Sequence, residues 1–229
     1  MSVQPVKKGD FVELSFEGKL ASGGEVFEKA QRPILAIVGE GQLVPGLDSA
    51  LVGAMPGEEK RVEIDDPAMA FGVRTEELVR LVPAEQFTKQ GVTPVAGMQV
   101  ELDGATARIQ SVSGGRVRVD FNHPLAGKKI AYSFKVEKSF LTPEEKVSAL
   151  ATHFLSGSPA KFEAGVAAAT AGEGVRKDAE YTIGKMRFVS LALKFVPEVK
   201  RVTVLEEYAA TEGKAATEGM AAAEGTPGQ

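Results

Sequence analysis

The sequence predicts an α+β protein in which antiparallel strands pack against one short helix, with one small unit inserted into this domain and another after it. Alternating apolar and polar residues, the pattern of a half-buried strand, recur along most of the chain, whereas helical spacing of apolar residues is confined to short stretches. At 229 residues the chain is longer than one typical domain and long enough for two or three. We therefore look for internal boundaries.

The first 64 residues predict a β-hairpin, a helix and a further strand. Val12, Leu14 and Phe16 alternate with polar positions, and the turn residues at 22–24 lead into a second short strand at 26–27. The elements expected next are a strand over 34–38, a helix over 47–51, a turn over 55–58 and a strand over 60–64.

The stretch 73–122 is expected to form a small β-rich domain inserted into the first one. It has its own turn residues at 103–104 and 113–115, and the strands beside these turns alternate in polarity. An alternating strand over 129–138 follows it. We therefore predict a first domain over 1–72 and 123–140, interrupted by the insert 73–122.

The rest of the chain predicts a small C-terminal α+β domain over 141–208 and a disordered tail. Thr142-Pro143-Glu144-Glu145 is a capping box with proline at the first helical position, which marks a helix start. Strand-like segments over 162–170 and 199–205 flank a mixed segment over 181–195. The repeat in 209–229 has almost nothing to bury, so we expect disorder there.

Composition argues against several classes of function. A net charge of −4 and the absence of a long basic run argue against a nucleic-acid partner. With no cysteine and two histidines we expect no metal site and no cofactor. The chain has no apolar run of membrane-spanning length and no signal-peptide core, so we expect no membrane partner and a cytoplasmic location.

Polar features of the sequence have ordinary structural interpretations. Gly39-Glu40-Gly41 begins like a dinucleotide-binding fingerprint, but Val44 occupies the third glycine position, which argues against a nucleotide site. The adjacent acids at 65–66 are interpreted as a solvated loop. His123 is open to two interpretations, a loop-fixing hydrogen bond or a contact with substrate, and His153 is expected to be exposed.

Six segments of the chain carry more specific motifs. They are Phe16-Glu17-Gly18, Val26-Phe27-Glu28, the run VGEGQLVPGL over 38–47, Ala54-Met55-Pro56-Gly57-Glu58, Ala70-Phe71-Gly72 and the run NHPLAGK over 122–128. In this order they resemble the FKBP family of peptidyl-prolyl cis/trans isomerases in its SlyD-like form. The resemblance implies an antiparallel β half-barrel wrapped on a short helix, with a chaperone domain inserted in the flap. The extra C-terminal domain resembles the long archaeal form.

The resemblance also implies a hydrophobic pocket for the proline of an X-Pro bond. The residues that match the family's motifs are Phe16, Phe27, Glu28, Leu43, Val44, Leu47, Phe71, Leu125 and Tyr132. Among them Leu125 closes one edge, and the backbone N–H of Val44 holds the substrate carbonyl. Leu47 replaces a frequent tryptophan, Glu28 the usual aspartate, and Phe71 the usual tyrosine. The missing hydroxyl removes a substrate hydrogen bond of about 0.5–1.5 kcal/mol, so we expect weak macrolide binding.

The predicted function is isomerisation of X-Pro bonds in unfolded or partly folded proteins, together with chaperone activity. Such a pocket needs no acid, base, nucleophile or metal, because an apolar site favours the less polar, twisted amide. The alternative is a non-catalytic holdase, in which the insert binds unfolded chains and the barrel is a relic.

Partner contacts are expected in the insert and in the C-terminal domain. A unit of about 50 residues buries only part of its apolar set, so exposed apolar residues should bind unfolded, proline-containing polypeptides. The residues expected in this surface are Leu78, Val79, Leu81, Val82, Phe87, Val92 and Met98. The C-terminal domain forms only a small core by itself, so we expect it to mediate a homodimer.

Overall fold

A computed structural model describes residues 4–177 and 179–208, so the predicted disordered tail lies outside the described residues. The chain divides into two compact units, one up to Ala149 and one from Leu150 onwards. Both contain helices and antiparallel strand pairs, which confirms the predicted α+β class. No helix in the described ranges has the length and apolarity needed to cross a membrane.

The first unit contains two sheets. Its strands are β1 (Phe11–Leu20), β2 (Val26–Lys29), β3 (Ile34–Ile37), β4 (Glu59–Ile64), β5 (Val79–Pro83), β6 (Gln99–Leu102), β7 (Ala105–Ser113), β8 (Arg116–Asp120) and β9 (Ile130–Phe140). One sheet has the order β2-β1-β9-β4, with β3 also paired to β1, and all of its pairs are antiparallel. The other has the order β5-β8-β7-β6.

The first sheet encloses the short helix α1 (Pro45–Leu51). Leu47 and Leu51 of the helix join one buried cluster with Leu14 and Val136 of the central strands. Gly46 makes this contact close, since a Cβ there would lie 2.5 Å from the Ile64 side chain. The helix therefore packs directly on β4.

The second sheet and helix α2 (Ala84–Lys89) make up residues 79–120, within the predicted insert. Phe87 of α2 is 2% exposed and packs with Ala107, Ile109, Val117 and Val119. Our expectation that Phe87 belongs to a binding surface is therefore wrong. Helix α2 was not predicted, and it turns Phe87 into the core.

The chain passes from the first sheet to the second and later returns. A polar network around Asp120 joins these two connecting segments. Asp120 accepts hydrogen bonds from Arg74 (2.8 Å), Gln110 (2.8 Å) and both nitrogens of Asn122 (2.9 and 2.7 Å). The Asn122 side chain also bonds the Thr75 backbone in both directions at 2.9 Å. Burial acts to raise the pKa of Asp120, but these hydrogen bonds outweigh it and lower the pKa to about 2.

The helix α3 (Pro143–Phe154) begins with the predicted capping box, in which Glu145 N–H donates to Thr142 Oγ1 at 3.2 Å. The other elements beyond residue 150 are β10 (Ala160–Glu163), β11 (Val166–Ala171), α4 (Glu173–Arg176), α5 (Tyr181–Phe195) and β12 (Arg201–Glu206). The segment 162–170, predicted as one strand, contains the β10–β11 turn, because Ala164 and Gly165 adopt positive φ. The mixed segment 181–195 is helix α5, which connects β11 to its parallel neighbour β12.

Candidate active site

Aromatic rings from β1, β2, β9 and the loop after β4 form one contiguous cluster. Phe27 contacts Phe71 and Tyr132 edge to face, with ring centroids 5.6 and 5.8 Å apart, and Phe16 meets Tyr132 at 5.9 Å. Phe16, Phe27 and Phe71 are partly exposed, whereas Tyr132 is fully buried. The four residues predicted from separate motifs are thus brought together, with Tyr132 beneath the exposed rings.

Gly18 on β1 makes room for this cluster. A Cβ at Gly18 would lie 2.7 Å from ring atoms of both Phe27 and Tyr132, closer than carbon atoms approach in proteins. Only glycine allows both rings to lie against the strand here. Gly18 belongs to the motif Phe16-Glu17-Gly18, and this close approach is the physical reason for a glycine there.

The Tyr132 hydroxyl donates a hydrogen bond of 3.0 Å to Glu28 Oε2. Burial raises the pKa of the Tyr132 phenol, and the Glu28 carboxylate raises it further by charge and by accepting this bond. The phenol therefore stays neutral at working pH. The Tyr132 hydroxyl is the one polar group on the four rings, and Glu28 binds it. The surface that the rings present therefore remains apolar.

Leu43, Val44 and Leu47 lie in the loop and helix that follow β3, and they pack in the same core of the first sheet as the four rings. Leu47 is buried, and Leu43 and Val44 are half-buried. Val44 is the N-cap of α1, and its N–H donates to no acceptor in the described part of the chain. Pro45 follows at the first helical position, so Val44 presents the last free N–H before the helix.

Two polar side chains that the sequence analysis did not single out hold this loop. The buried Asp48 carboxylate accepts from the N–H of Gly39 at 2.8 Å and from that of Gly41 at 3.4 Å. Gln42 Oε1 accepts from Ile37 N–H at 2.8 Å. The loop carrying Val44 is therefore fixed before any substrate binds. The sequence signal available for Asp48 was an acidic residue directly after the apolar Leu47 of the predicted helix.

His123 contacts the cluster from the far side of Phe71. Its ring is stacked on the Phe71 ring, with centroids 4.5 Å apart and planes 5° from parallel. His123 Nδ1 accepts from Leu125 N–H at 3.1 Å, which is the loop-fixing bond that we considered. Leu125 is half-buried in this turn but is not among the residues packed on the core cluster.

The rings present an apolar surface, and the Val44 N–H is a free backbone donor. Within the described ranges no cluster of histidine or acidic residues is arranged to hold a metal ion. Asp66 caps the turn over 67–69 through Ala68 N–H, and Asp65 pairs with Lys129 at 2.9 Å. Both acids are exposed, in agreement with the solvated-loop interpretation.

Comparison with known proteins identifies the family of the chain. The family model described as FKBP-type peptidyl-prolyl cis-trans isomerase matches residues 3–91, and the one described as FKBP26, IF domain, matches residues 80–125. A short-type peptidyl-prolyl cis-trans isomerase of Methanocaldococcus jannaschii is 35% identical over 145 residues, which cover 57% of this chain and 92% of the relative. The chain belongs to the FKBP-type peptidyl-prolyl cis-trans isomerases.

Bacterial members of the family support the assignment. The FKBP-type peptidyl-prolyl cis-trans isomerase SlyD of Helicobacter pylori is 32% identical over 163 residues, or 68% of this chain and 84% of the relative. An FKBP-type 16 kDa isomerase of Escherichia coli is 27% identical over 139 residues, or 58% of this chain and 93% of the relative. The predicted SlyD-like isomerase is therefore confirmed. We call the aromatic cluster with Leu43, Val44 and Leu47 the proline pocket, after the role that we propose for it below.

Proposed function

We propose that the proline pocket binds the proline ring of an X-Pro segment against Phe16, Phe27 and Phe71, with the substrate carbonyl on the Val44 N–H. Rotation about the X-Pro bond has a barrier of about 18–20 kcal/mol because it breaks amide resonance. Resonance places charge on the carbonyl oxygen, and a dry pocket disfavours that polar ground state. Each 1.36 kcal/mol of preferential stabilisation of the twisted amide is a tenfold gain in rate.

The observation that supports this proposal has two parts. The rings are partly exposed, and the free N–H of Val44 lies on a loop that hydrogen bonds already hold in place. Phe27→Ala should lower kcat/KM on a short X-Pro peptide at least about tenfold, because it opens the pocket to water. Val26→Ala on the same strand is the matched control, since Val26 is exposed and lies outside the cluster. Exchange spectroscopy on the peptide measures both. Equal rates for the two variants would show that the pocket is misplaced.

We further propose that residues 73–122 form the inserted domain and bind unfolded client chains. The apolar residues that support this are Leu78, Leu81 and Met98, of which Leu81 is 64% exposed. Val79, Val82 and Val92 are half-buried, and Val82 and Val92 pack on the insert's own core. Of the seven residues expected in the binding surface, the three exposed ones are therefore the strongest candidates.

These residues do not form one contiguous patch. Leu78 and Leu81 belong to the β5 edge of the sheet, whereas Met98 and the exposed Val95 precede β6 at the opposite edge. Three strand spacings, about 14 Å, separate the two edges. A client chain would therefore contact the insert at two sites, which suits long unfolded segments better than short peptides.

Leu81→Gln with Met98→Gln should weaken suppression of aggregation of an unfolded client while leaving the insert folded, because both side chains are exposed. The control is Leu141→Gln, which removes an exposed leucine outside the insert. Light scattering of a chemically unfolded client gives the readout. If the double variant suppresses aggregation as well as the control does, the edges are not the client surface.

We propose that the domain over 141–208 mediates a homodimer through helix α5. Tyr181, Gly184 and Phe188 face inwards, while Ile183, Met186 and Leu193 are exposed on the other side of the helix. With Ser190 these three residues repeat at the 3-4-3 spacing of a helix–helix seam. Sedimentation should give a dimer for the full chain and a monomer for Ile183→Gln/Met186→Gln/Leu193→Gln. Leu205→Gln, another exposed leucine, should remain dimeric.

A further inference from the structure

A cleft lies beside the proline pocket, between the outer face of the insert sheet and the turn that follows it. We call it the junction cleft; its volume is about 850 Å³. Its walls come from the β6–β7 hairpin on one side and from the loop before β9 on the other. The charged and potentially charged residues that line it are Arg74, Arg108, Asp120, His123 and Lys128, and Gln99, Thr106 and Asn122 are its neutral polar residues.

The charges in the junction cleft do not cancel. Asp120 is its only carboxylate, and the Arg74 guanidinium pairs with it at 2.8 Å. Arg108 and Lys128 also line the cleft, and neither has a carboxylate partner among the described residues. The cleft therefore carries two uncompensated positive charges, in a chain whose net charge is −4.

The walls of the junction cleft are held in place without a ligand. Asn122 joins Asp120 to the Thr75 backbone, and Gly127 N–H donates to the Gly72 carbonyl at 2.9 Å. These bonds tie the loop that bears Lys128 to the segment 72–75 that leads into the insert. A pre-formed cleft with free cations binds an anion without the cost of ordering its own walls.

The junction cleft continues directly from the proline pocket. His123 lines the cleft, and its ring is stacked on Phe71 of the pocket. An extended chain advances about 3.3 Å per residue, so a client held at Phe71 enters the cleft within a few residues of its proline. A side chain a few residues from the isomerised proline can therefore reach the junction cleft.

We propose that the junction cleft binds an aspartate or glutamate side chain of the client, so that the enzyme prefers X-Pro bonds with an acidic residue two to six positions away. This inference rests on the proposed role of the proline pocket. Arg108 and Lys128 hold the carboxylate, and Arg74 does not, because Asp120 neutralises it. Two partly exposed charge pairs support a preference of about threefold to tenfold at low ionic strength.

The test uses acetylated and amidated Ala-Pro peptides, so that a single glutamate is the only carboxylate. Glutamate is placed at each position from two to six residues on either side of proline and compared with glutamine. The full-length protein should give a kcat/KM ratio of about three to ten for at least one position. The ratio should approach one at 1 M salt, where the screening length is about 3 Å.

Charge variants show whether the junction cleft is responsible. Arg108→Gln/Lys128→Gln should bring the ratio to about one, and the charge-retaining Arg108→Lys/Lys128→Arg should keep it. The control Lys89→Gln/Arg116→Gln also removes two positive charges, at insert positions outside the cleft, and should keep the ratio. A parent ratio of one at every position, or a ratio that survives Arg108→Gln/Lys128→Gln, overturns the inference. Normal turnover of the glutamine peptides in either case leaves the proline pocket standing, whereas failure on those peptides would overturn the pocket as well.

Discussion

The proline pocket and the insert use apolar residues in opposite ways. In the pocket, exposed rings rest on a buried layer that includes Tyr132 and Leu47, and the whole belongs to the core of the first sheet. In the insert, a separate small core around Phe87 supports apolar side chains that remain exposed at two sheet edges. A rigid apolar site suits one chemical step on one ring, whereas exposed edges suit contact with many sequences.

The comparison predicts that the insert core can be lost without losing the pocket. Phe87→Ala should cost about 3–5 kcal/mol, because it empties the centre of a small core. We expect the insert to unfold, acceleration of a proline-limited refolding reaction to fall at least tenfold, and short-peptide activity to stay within about threefold. Amide exchange locates the unfolded segment, and loss of protection throughout the first unit would contradict the separation of the two cores.

The pocket should also be sensitive at a single glycine, with a smaller loss of stability. Gly18→Ala forces Phe27 and Tyr132 away from β1, and overpacking of this kind costs about 1–3 kcal/mol. Peptide activity should fall about tenfold while aggregation suppression by the insert persists. Gly174→Ala is the control, because nothing lies within 4 Å of a Cβ there. Unchanged peptide activity in Gly18→Ala would show that the ring positions do not matter.

A smaller effect is expected from removing the Tyr132 hydroxyl of the pocket. Tyr132→Phe removes the hydrogen bond to the exposed Glu28 and leaves the ring, so stability should fall by about 0.5–1.5 kcal/mol. Turnover of a short peptide should change by no more than about threefold, because the ring surface is retained. Urea unfolding and peptide exchange measure the two quantities, and a loss of turnover above tenfold would assign the phenol a direct role.

The polar network around Asp120, between the pocket and the insert, should lose its contribution to stability only at acidic pH. The folded pKa of Asp120 is lowered from 3.8 to about 2, so its contribution is complete above about pH 4 and is lost as the pH falls towards 2. The difference in urea midpoint between the parent and Asp120→Asn should be constant from pH 5 to 8 and shrink by pH 3. A difference that grew on acidification would contradict this network.

The two regions also differ in how much of them the sequence predicts. The motifs that line the pocket come from separate segments, and their resemblance to one family was enough to place Phe16, Phe27 and Tyr132 together. In the insert, periodicity identified the hairpins but not α2, because six residues are too few for a helical pattern to show. Phe87 was therefore assigned to the surface.

Polar contacts were the other part that the sequence could not supply. The stack of His123 on Phe71 and the bonds from Asp48 to the loop before α1 depend on how distant backbone segments meet. Helix α5 was missed for a different reason: its inward and outward faces are both apolar, so no contrast marked the helical period. Tertiary packing decides the first two features, and the lack of polarity contrast explains the third.

The most direct test of the division of labour is to replace residues 73–122 with a short glycine-containing loop and to measure two reactions on the same protein. Acceleration of proline-limited refolding should fall at least about tenfold, because the client is no longer held near the pocket. Isomerisation of a short X-Pro peptide should remain within about threefold of the parent. Equal loss in the two reactions would show that the insert mainly shapes the proline pocket, and would contradict separate roles for the insert and the pocket.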